Sequence, residues 1–334
     1  MKHFKKALEL GFFTLGIALF VWVIHSVEPG RLKIIMPALA GWGWLVFAVF
    51  PATFCLNVQA WKYTFAHVWE AKLPFRDLYT LRLASEAVNG ITPVADVGGE
   101  PLKVIIASRR FEIPKSITFA SVVIDRTALF TAQTLFCVLG LGLSFFMLPL
   151  PREWTAVFLL TVFLSSVFII FFITAQRKGL FTTFIQWLDF FQLDPERFKR
   201  FHISFQKADE EIASFYAEAK NTFGLAIGLH TLAWILGSLE TYVMFHILQS
   251  PLSLAQAMMI ESLFQLVRTA TFFIPASLGS QEGGLAFFAQ LLGYHPAIGV
   301  AASLLKRMRQ ILWMAIGFAI WGVYQLVHLK GNQV

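Results

Sequence analysis

Apolar residues run with few interruptions through 7–27, 37–61, 115–148, 154–175, 221–248 and 296–327. A helix needs about 20 apolar residues to cross a bilayer, so the pattern predicts six transmembrane helices. Between the fourth and fifth the pattern changes. Phe181, Phe184, Ile185, Leu188 and Phe191 recur at helical spacing opposite a charged face, and Asp194-Pro195 can open a second helix. Residues 176–220 therefore read as amphipathic helices lying at the membrane surface.

Two stretches do not fit as spans. Residues 75–92 carry Arg76, Asp77, Arg82 and Glu86, too polar to face lipid, and 98–110 would form a helix only about 20 Å long. Together they predict a re-entrant hairpin whose tip is "NGITPVADVGG". Residues 252–292 predict another: the first arm could span, but the second is too short to return across.

The two odd regions share a spacing. Pro93, Glu100, Pro114 and Arg126 stand at steps of 7, 14 and 12, and Pro275, Glu282, Pro296 and Arg307 at steps of 7, 14 and 11. Each glutamate follows a glycine-containing turn, "DVGGE" or "LGSQE", and each second proline opens a long apolar helix. Matching intervals on matching architecture predict an internal repeat, with units at 75–148 and 252–327 inside one integral membrane domain, 1–334. Three spans separate the hairpins, so the second unit is inverted relative to the first. The expected fold is an all-α polytopic membrane protein with about six transmembrane helices plus two re-entrant helical hairpins in an inverted repeat. Broken helices in inverted repeats are a pattern of secondary transporters, where non-helical backbone lines a polar cavity.

Composition agrees with a membrane protein. The chain is 57% hydrophobic and only 14% charged, against about 25% charged in soluble domains. A net charge of +7 could suggest nucleic acid, but a multi-span chain uses Lys and Arg to set its topology. With the N-terminus inside, the inner stretches hold 19 of the 27 Lys and Arg, and the outer connections hold only Arg31, Lys33 and Arg152. That asymmetry places both termini in the cytoplasm, sends the first hairpin in from the inner side and the second from outside. The basic start and apolar run of the first 27 residues resemble a signal peptide but lack a small-x-small cleavage site, so an uncleaved first span is expected. Cys55 and Cys137 lie in apolar runs and indicate neither a disulfide framework nor a metal cluster.

The charges inside the membrane segments carry the candidate chemistry. Glu100 and Glu282 open half-helices, whose free N–H groups attract anions but equally favour an acidic capping residue. A glutamate at membrane depth is also a plausible proton carrier. Asp125 and Arg126 point about 100° apart, so each needs a partner on another element. Lys306, Arg307 and Arg309 lie within one turn with no acid nearby in the chain, which suggests an anionic ligand or headgroup, although Lys306 and Arg309, sharing a face, could instead snorkel. With Glu86, Glu240, Glu261 and Arg268, the intramembrane set is six acids against five cations, a near balance that argues for a hydrated interior. The candidate substrate-binding residues are Glu86, Asn89, Asp96, Glu100, Asp125, Arg126, Glu261, Arg268, Glu282, Lys306, Arg307 and Arg309. The sequence contains no GxxxxGK[ST], HExxH, CxxC or dinucleotide glycine fingerprint, and no readable Ser-His-acid grouping, so no ATP engine, catalytic residue, metal or cofactor is expected.

"NGITPVADVGGEPLKV", "FFIPASLGSQEGG" and "ASLLKRMRQILW" together resemble the lysylphosphatidylglycerol-synthase transmembrane, or flippase-like, family, over nearly the whole chain. The last two are most similar to its hopanoid-biosynthesis-associated branch. Glu100, Glu282 and Arg307 match the family's motif positions. The resemblance implies a bacterial inner-membrane protein handling lipids; the soluble aminoacyl-transferase domain of the bifunctional members is missing, which puts lysyl-lipid synthesis in doubt. The leading expectation is a flippase that passes a polar or anionic headgroup through a central groove without ATP, with membrane lipids as partners and no nucleic acid. The first alternative is a membrane-embedded lipid (di)phosphatase, which would need a nucleophile and an arginine-rich Ser/Gly turn: Ser277 and Ser280 stand in place, but no arginine accompanies them in the chain. The second is an accessory scaffold for lipid-biosynthesis enzymes, docking them through 176–220.

Overall fold

A computed structural model describes residues 43–65, 73–92, 97–147, 150–189, 195–271, 277 and 279–331. Among them are eleven helices and no strand: α1 Trp44–Tyr63, α2 Phe75–Ile91, α3 Glu100–Arg110, α4 Lys115–Met147, α5 Arg152–Arg177, α6 Leu180–Asp189, α7 Pro195–Glu218, α8 Lys220–Ile247, α9 Leu254–Ala270, α10 Ser280–Leu291 and α11 Pro296–Gly331. The expected span at 7–27, the start of the second, and Pro93, Asp96 and Pro275 lie outside the described residues.

Among the described residues four helices, α1, α4, α5 and α8, are long and apolar enough to cross a membrane. α11 is longer still, 36 residues or about 54 Å, but carries Lys306, Arg307 and Arg309 in its middle. The outermost span is α5: Phe163, Ile170 and Phe171 are each more than 60% exposed, and of its residues only Phe158, Ile169 and Gln176 are buried. An apolar surface of this extent is tolerable where lipid, rather than water, covers it.

The other elements pack inward. Ala60, Ala128 and Ala226 meet where α1, α4 and α8 cross, the small side chains that let membrane helices approach closely. Around this crossing lie two larger cores. One joins α4, α8, α9, α10 and the start of α11 through Leu141, Phe245, Leu263, Phe288 and Leu305. The other joins α1, α2 and α3 to the far end of α11 through Trp61, Leu78, Ile106 and Trp313.

The two broken-helix regions exchange partners: α2 lies on α11, and α9 lies on α4. Both seams depend on glycine. A Cβ on Gly140 of α4 would overlap the Ser262 side chain of α9, and a Cβ on Gly317 of α11 would overlap the Leu83 carbonyl of α2.

After α5 come the helices α6 and α7, and α7 begins at Pro195 as its sequence predicts. Asp209 of α7 caps α6, accepting from the backbone N–H of Phe181 (3.2 Å) and Thr182 (2.7 Å) and from the Thr182 hydroxyl (2.6 Å). α7 packs against the bundle. Ile212, Phe215 and Tyr216 bury against Ile124 of α4, and the Tyr216 hydroxyl donates to Gln176 Oε1 of α5 at 2.7 Å. Burial pushes the Tyr216 phenol up to about 12, so it stays a neutral donor near neutral pH.

Candidate functional site

α3 begins at Glu100 immediately after Gly99. The Gly99 N–H donates to Asn89 Oδ1 at 2.5 Å, so α2 supplies the cap. Glu100 is thereby left to form an ion pair with Lys103, Nζ to Oε2 at 3.0 Å, and to accept from Arg126 Nη2 through Oε1, while Asn89 Nδ2 bridges Glu86 Oε2 (3.2 Å) and Glu100 Oε1 (3.3 Å). Four expected site residues, Glu86, Asn89, Glu100 and Arg126, thus meet at one point. Arg126 keeps its buried Nε without a hydrogen-bond partner.

α10 begins at Ser280, and Glu282 caps its own helix by accepting the Gly279 N–H through Oε2 at 2.9 Å. Its Oε1 meets Arg307 Nε at 2.5 Å. The positions 100 and 126 thus find counterparts in 282 and 307. In each region a glutamate at the start of a short helix contacts an arginine on the long helix that follows.

A second pair repeats with its charges exchanged. Arg82, the eighth residue of α2, meets Asp125 of α4 at 3.0 Å. Glu261, the eighth residue of α9, meets Lys306 of α11 at 2.7 Å and also accepts from Thr241 Oγ1 at 2.5 Å. Asp125 and Arg126 point apart as expected, and each finds its partner on another helix.

Lys306, Arg307 and Arg309 have no acid near them in the chain, but acids reach them from other helices. Glu261, Glu282 and Glu240 meet them one for one, the last at 2.7 Å from Arg309 Nε. These acids come from three different helices, α9, α10 and α8, so no reading along the chain brings them together. Such pairing is what buried charge requires, because an unpartnered ion in a low-dielectric interior is strongly disfavoured. Arg268 is half-buried in the last turn of α9.

Sequence reasoning also missed residues. Arg82 and Lys103, placed among the cytoplasmic cations by position, are 3% and 0% exposed and paired inside. Both therefore join the interior charges among the described residues. The spacing of Arg82, Glu86 and Asn89 along one face of α2 was the readable signal for the first. Asn57 and His230 join Asp125 in the interior: His230 Nε2 lies 3.1 Å from Asp125 Oδ1 and Nδ1 lies 2.7 Å from Asn57 Oδ1. A histidine in the middle of an otherwise apolar span was the signal there. Among the described residues no group of three or more His, Cys, Asp or Glu could hold a metal ion.

Comparison with known proteins now bears on this geometry. The family described as the lysylphosphatidylglycerol synthase TM region matches residues 8–318. A UPF0104 membrane protein of Methanothermobacter thermautotrophicus is 25% identical over 258 residues, 73% of this chain and 74% of the relative. Another UPF0104 membrane protein, from Methanocaldococcus jannaschii, is 25% identical over 246 residues, 70% of each chain. No solved structure matches.

Proposed function

This chain belongs to the family of the lysylphosphatidylglycerol synthase TM region, a multi-pass membrane protein family, and on that premise we propose that it moves a lipid with a polar or anionic headgroup across the cytoplasmic membrane without ATP. In this reading α2–α3 and α9–α10 are re-entrant hairpins of an inverted repeat, the termini are cytoplasmic, and the headgroup passes between the two units while the tails stay in lipid.

The observation that carries the reading is the pair of matched Glu–Arg contacts, Glu100–Arg126 and Glu282–Arg307, each at the start of a short helix between apolar spans. A helix start and an arginine together attract a phosphate. The Arg126 Nε, buried without a hydrogen-bond partner, adds to that attraction. A passing headgroup can displace the glutamate from its arginine, and the glutamate can return once the headgroup has left.

The phosphatase alternative gains one observation: Arg307 Nη2 donates to the Ser277 carbonyl at 3.3 Å, so an arginine does accompany the serine turn in space. One assay separates the two. Liposomes containing fluorescent phosphatidylglycerol and a polyprenyl diphosphate are prepared with the purified protein, and translocation and phosphate release are measured together. Lipid movement that Arg126→Gln abolishes, without phosphate release, supports transport; phosphate release without lipid movement supports the enzyme. Topology has its own test. In a Cys55→Ser, Cys137→Ser background, Val97→Cys and Ser280→Cys should label from opposite faces, and labelling from one face would remove the inverted repeat.

A further inference from the structure

In the Asn57–His230–Asp125–Arg82 chain the three ionisable side chains are more deeply buried than those of the Glu100–Arg126 and Glu282–Arg307 contacts. It joins four helices, α1, α8, α4 and α2, with His230 and Asp125 both fully buried. Arg82 Nη1 donates to Asp125 Oδ2 at 3.0 Å and to the Asn57 carbonyl at 2.8 Å, so the carboxylate has its counter-charge without help from the histidine. His230 then faces an acceptor on each side: Asp125 Oδ1 at Nε2 and Asn57 Oδ1 at Nδ1.

A neutral imidazole has one N–H and can satisfy only one of two acceptors. Both are satisfied if the ring carries two protons, which leaves the Arg82–Asp125–His230 group with one net positive charge. The other complete arrangement keeps the ring neutral with its N–H on Asp125 and turns the Asn57 amide so that its NH₂ donates to Nδ1. Gain or loss of one proton therefore exchanges two fully bonded states. Other charged groups near the ring's partners are Arg126, one residue beyond Asp125, and Lys103 of α3. Asn57 and His230 lie on α1 and α8, which pack together and lead into the first and second broken-helix regions, so the exchange occurs at the joint between them.

We infer that His230, held between Asp125 and Asn57, is a proton-binding site whose occupancy drives or gates the movement of lipid. The inference rests on the transport reading for its role, but proton binding itself can be measured separately. Histidine is the side chain whose unperturbed charge change falls between pH 5 and 8, and a buried ionisable group in a membrane bundle is where a proton relay is built.

The test has two arms. Protein labelled with ¹⁵N-histidine in phosphatidylglycerol nanodiscs is titrated from pH 5 to 8, and the His230 ring signals are identified by their loss in His230→Gln. Where that variant fails to fold, substitution of the seven other histidines leaves His230 as the single signal. The expected result is conversion between doubly and singly protonated rings within this range; constant ring signals from pH 5 to 8 overturn the site. In the second arm, translocation of fluorescent phosphatidylglycerol is followed across the same range. Wild type is expected to change about tenfold in rate and His230→Gln to lose that dependence. One shared pH profile for both proteins overturns the coupling. Absence of lipid movement in wild type at every pH removes the transport reading, and the titration arm then decides the proton site alone.

Discussion

The region from α2 to α4 and the region from α9 to α11 are built from the same parts in the same order. Each has a 17-residue helix, a break, a short helix and a long helix. They differ in how the acid at the break is held. In the first, Asn89 caps Gly99, and Glu100 is left to two cations; its side chain is 8% exposed. In the second, Glu282 must cap Gly279 itself, keeps one oxygen for Arg307, and is 26% exposed. The first acid is closed in by three neighbours and the second is partly exposed. The crossing pairs differ in sign instead: Arg82–Asp125 in the first, Glu261–Lys306 in the second. What recurs is a pair of opposite charges at a given place, and the polarity of that pair is free because a low-dielectric seam demands neutrality and not a particular direction.

The largest expected effect comes from removing one charge of a crossing pair. Asp125→Leu leaves Arg82 buried without its carboxylate and should cost about 3–5 kcal/mol, read as a fall in thermal unfolding temperature in detergent. Arg82→Glu combined with Asp125→Lys gives the first pair the polarity of the second. Each single change should be severe and the double change should recover most of the loss. If the double variant is as unstable as the singles, charge polarity is not interchangeable and the comparison fails.

Next come the glutamates. Glu100→Gln should cost about 2–3 kcal/mol, since two charged contacts are weakened in a closed site. Glu282→Gln should cost about 1 kcal/mol or less, because its carboxylate is the more exposed of the two and keeps a single arginine partner. Equal losses would show that the difference in exposure does not matter.

The glycine seams should respond alike. Gly140→Leu and Gly317→Leu each press a side chain into a neighbouring helix and should cost about 1–3 kcal/mol. A loss at one and not at the other would mean that the exchange of partners between the two regions is not matched in packing.

Much of the helical architecture was legible in the chain. The apolar runs at 115–148, 154–175 and 221–248 became α4, α5 and α8 within a few residues, α3 began directly after Gly98 and Gly99, and α7 started at Pro195. These are local properties. Periodicity, proline and glycine act through the backbone of their own segment, so one sequence is enough to read them. The shared spacing of proline, glutamate and arginine marked the two regions as alike, but the Glu100–Arg126 and Glu282–Arg307 contacts themselves emerge from the packing of each short helix on the long helix that follows.

Pairing across longer distances was decided only by the fold. Lys306, Arg307 and Arg309 stand within one turn, yet each looks to a different helix, and their acids lie 45, 25 and 69 positions away at Glu261, Glu282 and Glu240. Arg82 and Lys103 read as cytoplasmic cations by position and are interior by packing. His230 and Asp125 are 105 residues apart. Sequence determines which segments are helical and which residues must find a partner, since both follow from short-range sterics and from the cost of burying charge. Which partner is met depends on how separate helices are rotated and stacked, and that is set by the whole packed bundle, in which the small side chains of Ala60, Ala128 and Ala226 let α1, α4 and α8 come together.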